Sequence, residues 1–221
     1  MIVTLDGPAG AGKSSAARAL AARLGWCYMD TGAMYRTVAL IALERSVPLD
    51  DAERIAALAA TLAIEFCGGR VLVDGRDVSA AIRTAEVTAA TRPVADAPPV
   101  RDVMKRMQRR LAEGIDVVTE GRDQGSIVFP AAELKVFLTA SPEERARRRH
   151  CEDLARGAAT SLDSVLTEQN RRDEGDRTRP VGAMLPAADA VLVETDGLSP
   201  EAVVDRLVTL VEERRPRRPL S

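Results

Sequence analysis

Apolar positions along the chain follow two periods, and the switches between them mark out most of its elements. Residues 2–6, IVTLD, form a short apolar run of the kind that fills a buried parallel strand. Ala17, Leu20, Ala21 and Leu24 then recur at helical spacing, and Gly25 ends that helix. Residues 26–29 read as a second short strand, Thr31 to about Arg45 as a helix, and Asp51 opens another, DAERIAALAATLA. Next the alternation of strand and helix breaks. Residues 62–67 and 70–74 are β-like and joined by Gly68-Gly69, and a second turn at Asp74-Gly75 leads into Asp77-Val78. Such a small antiparallel piece does not belong in a parallel sheet and reads as an insert near 40–100.

An amphipathic helix follows, marked by Val100, Val103, Met104, Met107 and Leu111 and ended by Gly114. Strands are expected at 115–119, 134–139 and 189–194. Ser141-Pro142-Glu143-Glu144 is a helix start, with a capping Ser, Pro in the first turn and Glu three residues on. That helix runs to about Arg156, where Gly157 breaks it, and a further helix covers about 161–174. Ser199-Pro200-Glu201 caps a last helix with Val203, Leu207, Leu210 and Val211 on one face. The tail RRPRRPLS has no apolar pattern and reads as frayed. The expectation is a parallel α/β core with one insert near 40–100 and a short mobile segment near 157.

Strand, glycine turn and helix meet at the first chemically informative segment. Gly7-Pro8-Ala9-Gly10-Ala11-Gly12-Lys13-Ser14 matches G-x-x-x-x-G-K-[ST] in full, with Ser15 following. The glycines let backbone N–H groups turn inward as an anion nest, and the helix N-terminus adds partial positive charge. Lys13 is expected on the β- and γ-phosphates of a nucleoside triphosphate, and the Ser14 hydroxyl on Mg²⁺. No apolar strand ends in the aspartate that often accompanies such a loop, and no N-K-x-D guanine-reading motif is present. Phosphoryl transfer to a small acceptor fits better than a GTPase.

Net charge is -2, which gives no reason to expect nucleic acid or an anionic membrane as partner. Cys27, Cys67 and Cys151 lie far apart, without a C-x-x-C pair, as in a reducing compartment. There is no run of about 18 apolar residues and no signal-like start, so the expectation is a cytoplasmic monomer. Of the 31 basic residues 28 are arginine, whose planar fork suits phosphate, so the position of each arginine matters more than the total.

Beyond the phosphate loop, several stretches carry a resemblance in their order and spacing: DTGAMYR at 30–36, DVSAAIRT at 77–84, VRDVMKRMQR at 101–110, EGRDQGSIVFP at 120–130, SPEERARRR at 141–149, RRDEGDRTR at 171–179 and PAADA at 186–190. Together they resemble the bacterial cytidylate kinases, from Ile2 to about Glu212. The resemblance implies a P-loop NTPase-type three-layer α/β fold. It comprises a five-stranded parallel core (1–35, 112–155 and 175–214), a monophosphate-binding insert with antiparallel strands (about 36–111), a short lid (about 156–174) and a frayed tail (215–221). It also implies ATP with Mg²⁺ as donor and CMP or dCMP as acceptor.

Residue by residue, the resemblance puts Thr31, Tyr35 and Arg36 against the acceptor nucleotide, with Arg36 on its phosphate. By its pattern alone that helix reads equally as amphipathic, with an exposed Arg and a core Tyr. It assigns Arg122 to the monophosphate and Asp123 to cytosine. The pair follows a buried strand at the edge where α/β proteins bind ligands, and also reads as a local ion pair. Arg101 is the implied second base contact, or one of several arginines on a solvated helix face. Arg172 and Arg179 are implied on phosphates and sugar, Asp176 near the ribose, and Arg148 at the transferring group among Arg145, Arg147 and Arg149. The sequence departs from the family pattern at Arg92, at Ala183-Met184 and at Gly175-Asp176-Arg177. UMP or shikimate as acceptor, and a non-catalytic nucleotide-binding regulator, are the rival readings.

Overall fold

The computed structural model describes residues 1–155 and 157–215. All but Arg215 of the 215–221 tail therefore lies outside the described residues. Contacts divide the chain into two compact units, one formed by Met1–Cys27 with the chain from Ile115 on, the other by Tyr28–Gly114.

The strands β1 (Ile2–Asp6), β2 (Cys27–Asp30), β6 (Val117–Glu120), β7 (Leu134–Thr139) and β8 (Val191–Glu194) form one parallel sheet in the order β2-β6-β1-β7-β8. The five-stranded parallel expectation is met. β1 lies at the centre, with Leu5 opposite Glu120 on β6 and Asp6 opposite Phe137 on β7. Its apolar run is explained by that place: Val3 and Leu5 are fully buried, as are Val118 and Leu138 on the neighbouring strands. Helix α1 (Lys13–Leu24) packs on β6, α8 (Pro200–Arg214) packs on β7, and the two helices pack on each other. The predicted cap of α8 is present, with Ser199 Oγ accepting the N–H of Ala202 at 3.2 Å. Its predicted apolar face, Val203, Leu207, Leu210 and Val211, is buried.

α6 (Pro142–Ala155) starts as its sequence indicates, the Ser141 hydroxyl accepting the N–H of Glu144 at 3.3 Å. Gly157 follows with φ 79°, a value that suits glycine. α7 (Leu162–Thr178) is one turn longer than its pattern indicates, running unbroken past residue 174 with Gly175 inside it. Its last turn is polar, so apolar periodicity could not mark it.

The second unit holds α2 (Thr31–Glu44), α3 (Ala52–Thr61), the antiparallel strands β3 (Ile64–Cys67), β4 (Arg70–Val73) and β5 (Arg76–Asp77), then α4 (Ala85–Asp96) and α5 (Pro98–Leu111). Both hairpin turns form as read. Gly68 and Gly69, and Asp74 and Gly75, all take positive φ, which the favoured two-residue turns require. The sequence reading missed α4. Val87, Ala90 and Val94 do form a buried helical face, and Thr84 caps it. Pro93 lies inside the helix and forfeits one of its hydrogen bonds, which disguises the pattern. Among the described residues no helix is long and apolar enough to cross a membrane.

Leu207 is fully buried on the face of α8 that meets the core. Leu207→Ala should cost about 2–5 kcal/mol, the range for emptied leucine sites. Urea unfolding of the two proteins measures the difference, and a midpoint unchanged from wild type would contradict this packing.

Candidate active site

β1 ends at Asp6, and the chain then turns sharply into α1. Gly7, Gly10 and Gly12 have φ of 141°, 79° and 83°, all positive. Gly7 is also a close approach, since a Cβ there would stand 2.0 Å from the carbonyl oxygen of Leu138. Gly12 caps α1 in the left-handed conformation, so the free N–H groups of its first turn face the loop. Lys13 is buried and its Nζ donates to the Pro8 carbonyl at 2.7 Å, closing the loop on itself. Burial, with Arg122 and Arg172 nearby, pushes the Lys13 pKa down to about 7, although Glu120 and Asp6 pull it the other way.

Ser14 shows what the sequence reading missed. Its hydroxyl donates to Glu120 Oε1 at 2.7 Å. Glu120 is the last residue of β6, next to β1, and it is buried. An acidic residue at a strand end beside the phosphate loop is therefore present, as a glutamate. The signal lies in VVTE, an apolar strand that ends in glutamate rather than the usual aspartate.

Two helices hold the loop from the side. Arg145 is 3% exposed, donating to the Ala9 carbonyl at 2.9 Å and to Asp173 Oδ2 at 2.5 Å. A Cβ on Gly10 would stand 2.9 Å from that of Arg145, so glycine is needed there too. Arg145 was not singled out from sequence, being one of four arginines in a row of five residues. Arg148, which was, donates instead to Glu144 at 2.8 Å and to the hydroxyl and carbonyl of Thr195 at 2.9 and 2.7 Å.

Three predicted residues meet beyond β6. Arg122 Nε donates to Asp176 Oδ2 at 2.8 Å, and Arg179 donates to Asp176 Oδ1 at 2.6 Å. Asp176 thus bridges two guanidiniums. Burial alone would raise its pKa, but Arg122, Arg179 and Arg172 together hold it below the ordinary 3.8. α7 supplies Arg172 and Asp176, and Arg179 follows its last residue. The Asp176 carbonyl also accepts the N–H of the buried Met184, so the Ala183-Met184 departure packs inward. Asp123 is buried, and its carbonyl accepts the N–H groups of Ile127 and Val128 at the wide turn Gln124–Val128.

In the second unit, Asp30 caps α2 by accepting the N–H of Ala33 at 2.7 Å, and it pairs with Arg36 at 3.2 Å. Arg36 keeps a buried Nε–H with no partner, so the guanidinium is only partly satisfied. Thr31 is buried in the same first turn. Arg101 is not on a solvated face: it is 7% exposed, lies 5.9 Å from the Tyr35 ring centroid and donates to the Ala95 carbonyl at 3.2 Å. Arg106, Arg109 and Arg110 of the same helix are exposed. Arg92 pairs with Asp96 at 3.5 Å on the surface of α4.

A parallel sheet with this loop at the end of its central strand defines a P-loop nucleotide-binding protein. A family model described as cytidylate kinase matches residues 3–213. A cytidylate kinase from Rhodopirellula baltica is 48% identical over 213 residues, covering 96% of this chain and 93% of that one. One from Shewanella loihica is 42% identical over 220 residues, covering 97% and 96%. Among solved structures, an uncharacterized protein from Eubacterium ventriosum aligns over 97% of this chain and 99% of its own with a TM-score of 0.55, at 9% identity, a likeness of fold alone. The chain belongs to the cytidylate kinase family.

The Asp176 bridge makes a prediction with a defined sign. Its folded pKa is lowered, so its contribution to stability is complete above about 3.8 and is lost as pH falls through the folded value. Asp176→Asn should cost on the order of 2–3 kcal/mol at pH 7, below the figure for fully buried pairs because Arg122 keeps some solvent. The deficit should close in acid, and millimolar inorganic phosphate should raise the melting temperature of the variant more than that of wild type. A deficit independent of pH and phosphate would mean that Asp176 does not hold these arginines.

Proposed function

We propose that this chain transfers the γ-phosphoryl group of ATP to CMP or dCMP, giving ADP and CDP or dCDP. The observation that carries the reading is the complete phosphate loop at the end of the central strand, headed by the buried Lys13, in a chain matched by the cytidylate kinase model over 3–213. Loop residues Gly7 to Ser15 cradle the triphosphate, and Lys13 takes the charge that builds on its terminal group.

Ser14 and Glu120 are the residues that would hold Mg²⁺, the hydroxyl and carboxylate oxygens being the hard donors it prefers. Among the described residues no group of three or more His, Cys, Asp or Glu could hold a metal alone, which suits an ion that draws most of its ligands from phosphate and water. When bound, it neutralises charge on the phosphate oxygens.

The acceptor needs no general base. A nucleoside monophosphate has a second pKa of about 6 and is mostly a dianion near pH 7. Chemistry is then a matter of bringing two polyanions together, in line and without water. Arg122 and Arg179 exchange Asp176 for the acceptor phosphate, and Arg36 makes the same exchange from Asp30. Arg172, already close enough to depress Lys13, stabilises the group in flight. Arg148 would have to release Glu144 and Thr195 to take part. Asp176 is left to meet the ribose. Asp123 accepts a hydrogen bond from the cytosine amino group, where uracil offers a carbonyl, and Arg101 donates to the ring acceptors beside Thr31 and Tyr35.

Coupled ADP release with CMP, dCMP, UMP and shikimate tests this reading. Release with CMP and dCMP alone is expected, and acceptor-independent release would favour a regulator. Lys13→Ala should lower kcat by about 10²-fold or more with the fold retained. Asp123→Asn should lower kcat/KM for CMP and narrow the gap to UMP, since an amide can turn its N–H₂ toward a carbonyl. An unchanged CMP-to-UMP ratio would remove Asp123 from base recognition.

A further inference from the structure

Asp6 has no place in the chemistry just described, yet it is a buried carboxylate at the centre of the sheet. It is the last residue of β1 and 5% exposed. Its two oxygens are each used once: Oδ1 accepts the N–H of Gln124 at 2.8 Å and Oδ2 that of Gly125 at 2.7 Å. Those two residues follow Arg122 and Asp123 directly and begin the wide turn. Only glycine fits at 125, since a Cβ there would stand 2.8 Å from the Thr4 hydroxyl and 3.2 Å from the Lys135 side chain. The segment carrying Arg122 and Asp123 is therefore pinned between β6 on one side and a carboxylate clamp on the other.

The clamp is electrostatically expensive. Burial, with the neighbouring Asp123, raises the Asp6 pKa to about 6 even against the pull of the two N–H groups and Lys13. Capping a turn for structure alone does not call for a buried anion beside a second carboxylate, because Asn or Ser caps backbone N–H groups without charge. What a carboxylate adds is two charge-assisted acceptors in one plane, which fix both N–H groups at once. An amide offers one acceptor and turns N–H₂ toward the other donor.

We infer that Asp6 is a positioning residue for acceptor recognition, holding the Arg122-Asp123 segment in the orientation in which it grips the monophosphate and reads the base. The inference rests on the roles proposed above for Arg122 and Asp123. It also explains why the residue just before the phosphate loop is charged: one strand end serves both nucleotides, its backbone continuing into the donor loop and its side chain setting the acceptor loop.

The test combines amide hydrogen exchange with kinetics. A pH profile would not serve, because the acceptor's own phosphate titrates in the same range, near pH 6. In the wild-type protein the N–H groups of Gln124 and Gly125 should exchange far more slowly than exposed loop amides; exchange at loop rates would overturn the clamp without any variant. In Asp6→Asn both should exchange faster. KM for CMP should rise about tenfold and the CMP-over-UMP preference should shrink, while KM for ATP moves by no more than about threefold. A lower melting temperature with both KM values moving together and the base preference intact would make Asp6 merely structural and overturn the inference. Asp123→Asn, measured alongside, separates the two levels. If it alters base preference and Asp6→Asn does not, the inference fails and the functional reading stands. If Asp123→Asn also leaves the preference unchanged, the reading beneath it fails.

Discussion

A buried or half-buried arginine needs a partner that answers its charge and keeps it in place. For Arg122, Arg179, Arg145 and Arg36 that partner is a carboxylate. Asp176 bridges Arg122 and Arg179, Asp173 holds Arg145 against the phosphate loop, and Asp30 holds Arg36 at the start of α2. Glu120 does the equivalent for the Ser14 hydroxyl.

The carboxylates also tie the loops to regular elements. Asp173 and Asp176 lie three residues apart on α7, one turned to the phosphate loop and Arg145, the other to Arg122 and Arg179. A single helix therefore meets the phosphate loop and Arg122, which follows β6. The parallel sheet supplies the other support. β1 and β6 are paired in register up to Leu5 and Glu120, so the two loops that leave their C-terminal ends start side by side. Irregular backbone begins only after this pairing ends.

Much of this was legible in the sequence because it depends on local chemistry. The phosphate loop is contiguous, and its glycines are required by φ values that no other residue takes cheaply. Caps at Asp51, Ser141 and Ser199 were readable because one side chain and a backbone N–H three residues on define them. The bridges were not legible. Asp176 and Arg122 are 54 residues apart, and nothing in either segment names the other. Arg145 and Arg148 are indistinguishable in a row of arginines, and only packing shows that the first reaches Ala9 and the second Thr195. The family resemblance bridged part of that distance by assigning roles, and it pointed to Arg148 rather than Arg145. α4 was missed for a different reason, because Pro93 breaks the pattern without breaking the helix.

A carboxylate partner also sets how readily the site changes hands. Asp176 carries one negative charge and divides it between two guanidiniums. A phosphate dianion carries about twice that charge on three strong acceptor oxygens, and can meet each planar fork with two hydrogen bonds. On the proposed role, an exchange of partner would therefore favour a phosphate over a lone carboxylate or a neutral ligand. It also spares the arginines the cost of being buried without a counter-ion, which for a charge stripped of its partner is several kcal/mol. If Arg122 and Arg179 take up a phosphate as proposed, Asp176 stays beside it on α7, and its negative charge would weaken the hold on that anion. Keeping the original counter-ion within reach would thus balance the capture of an anion against its release.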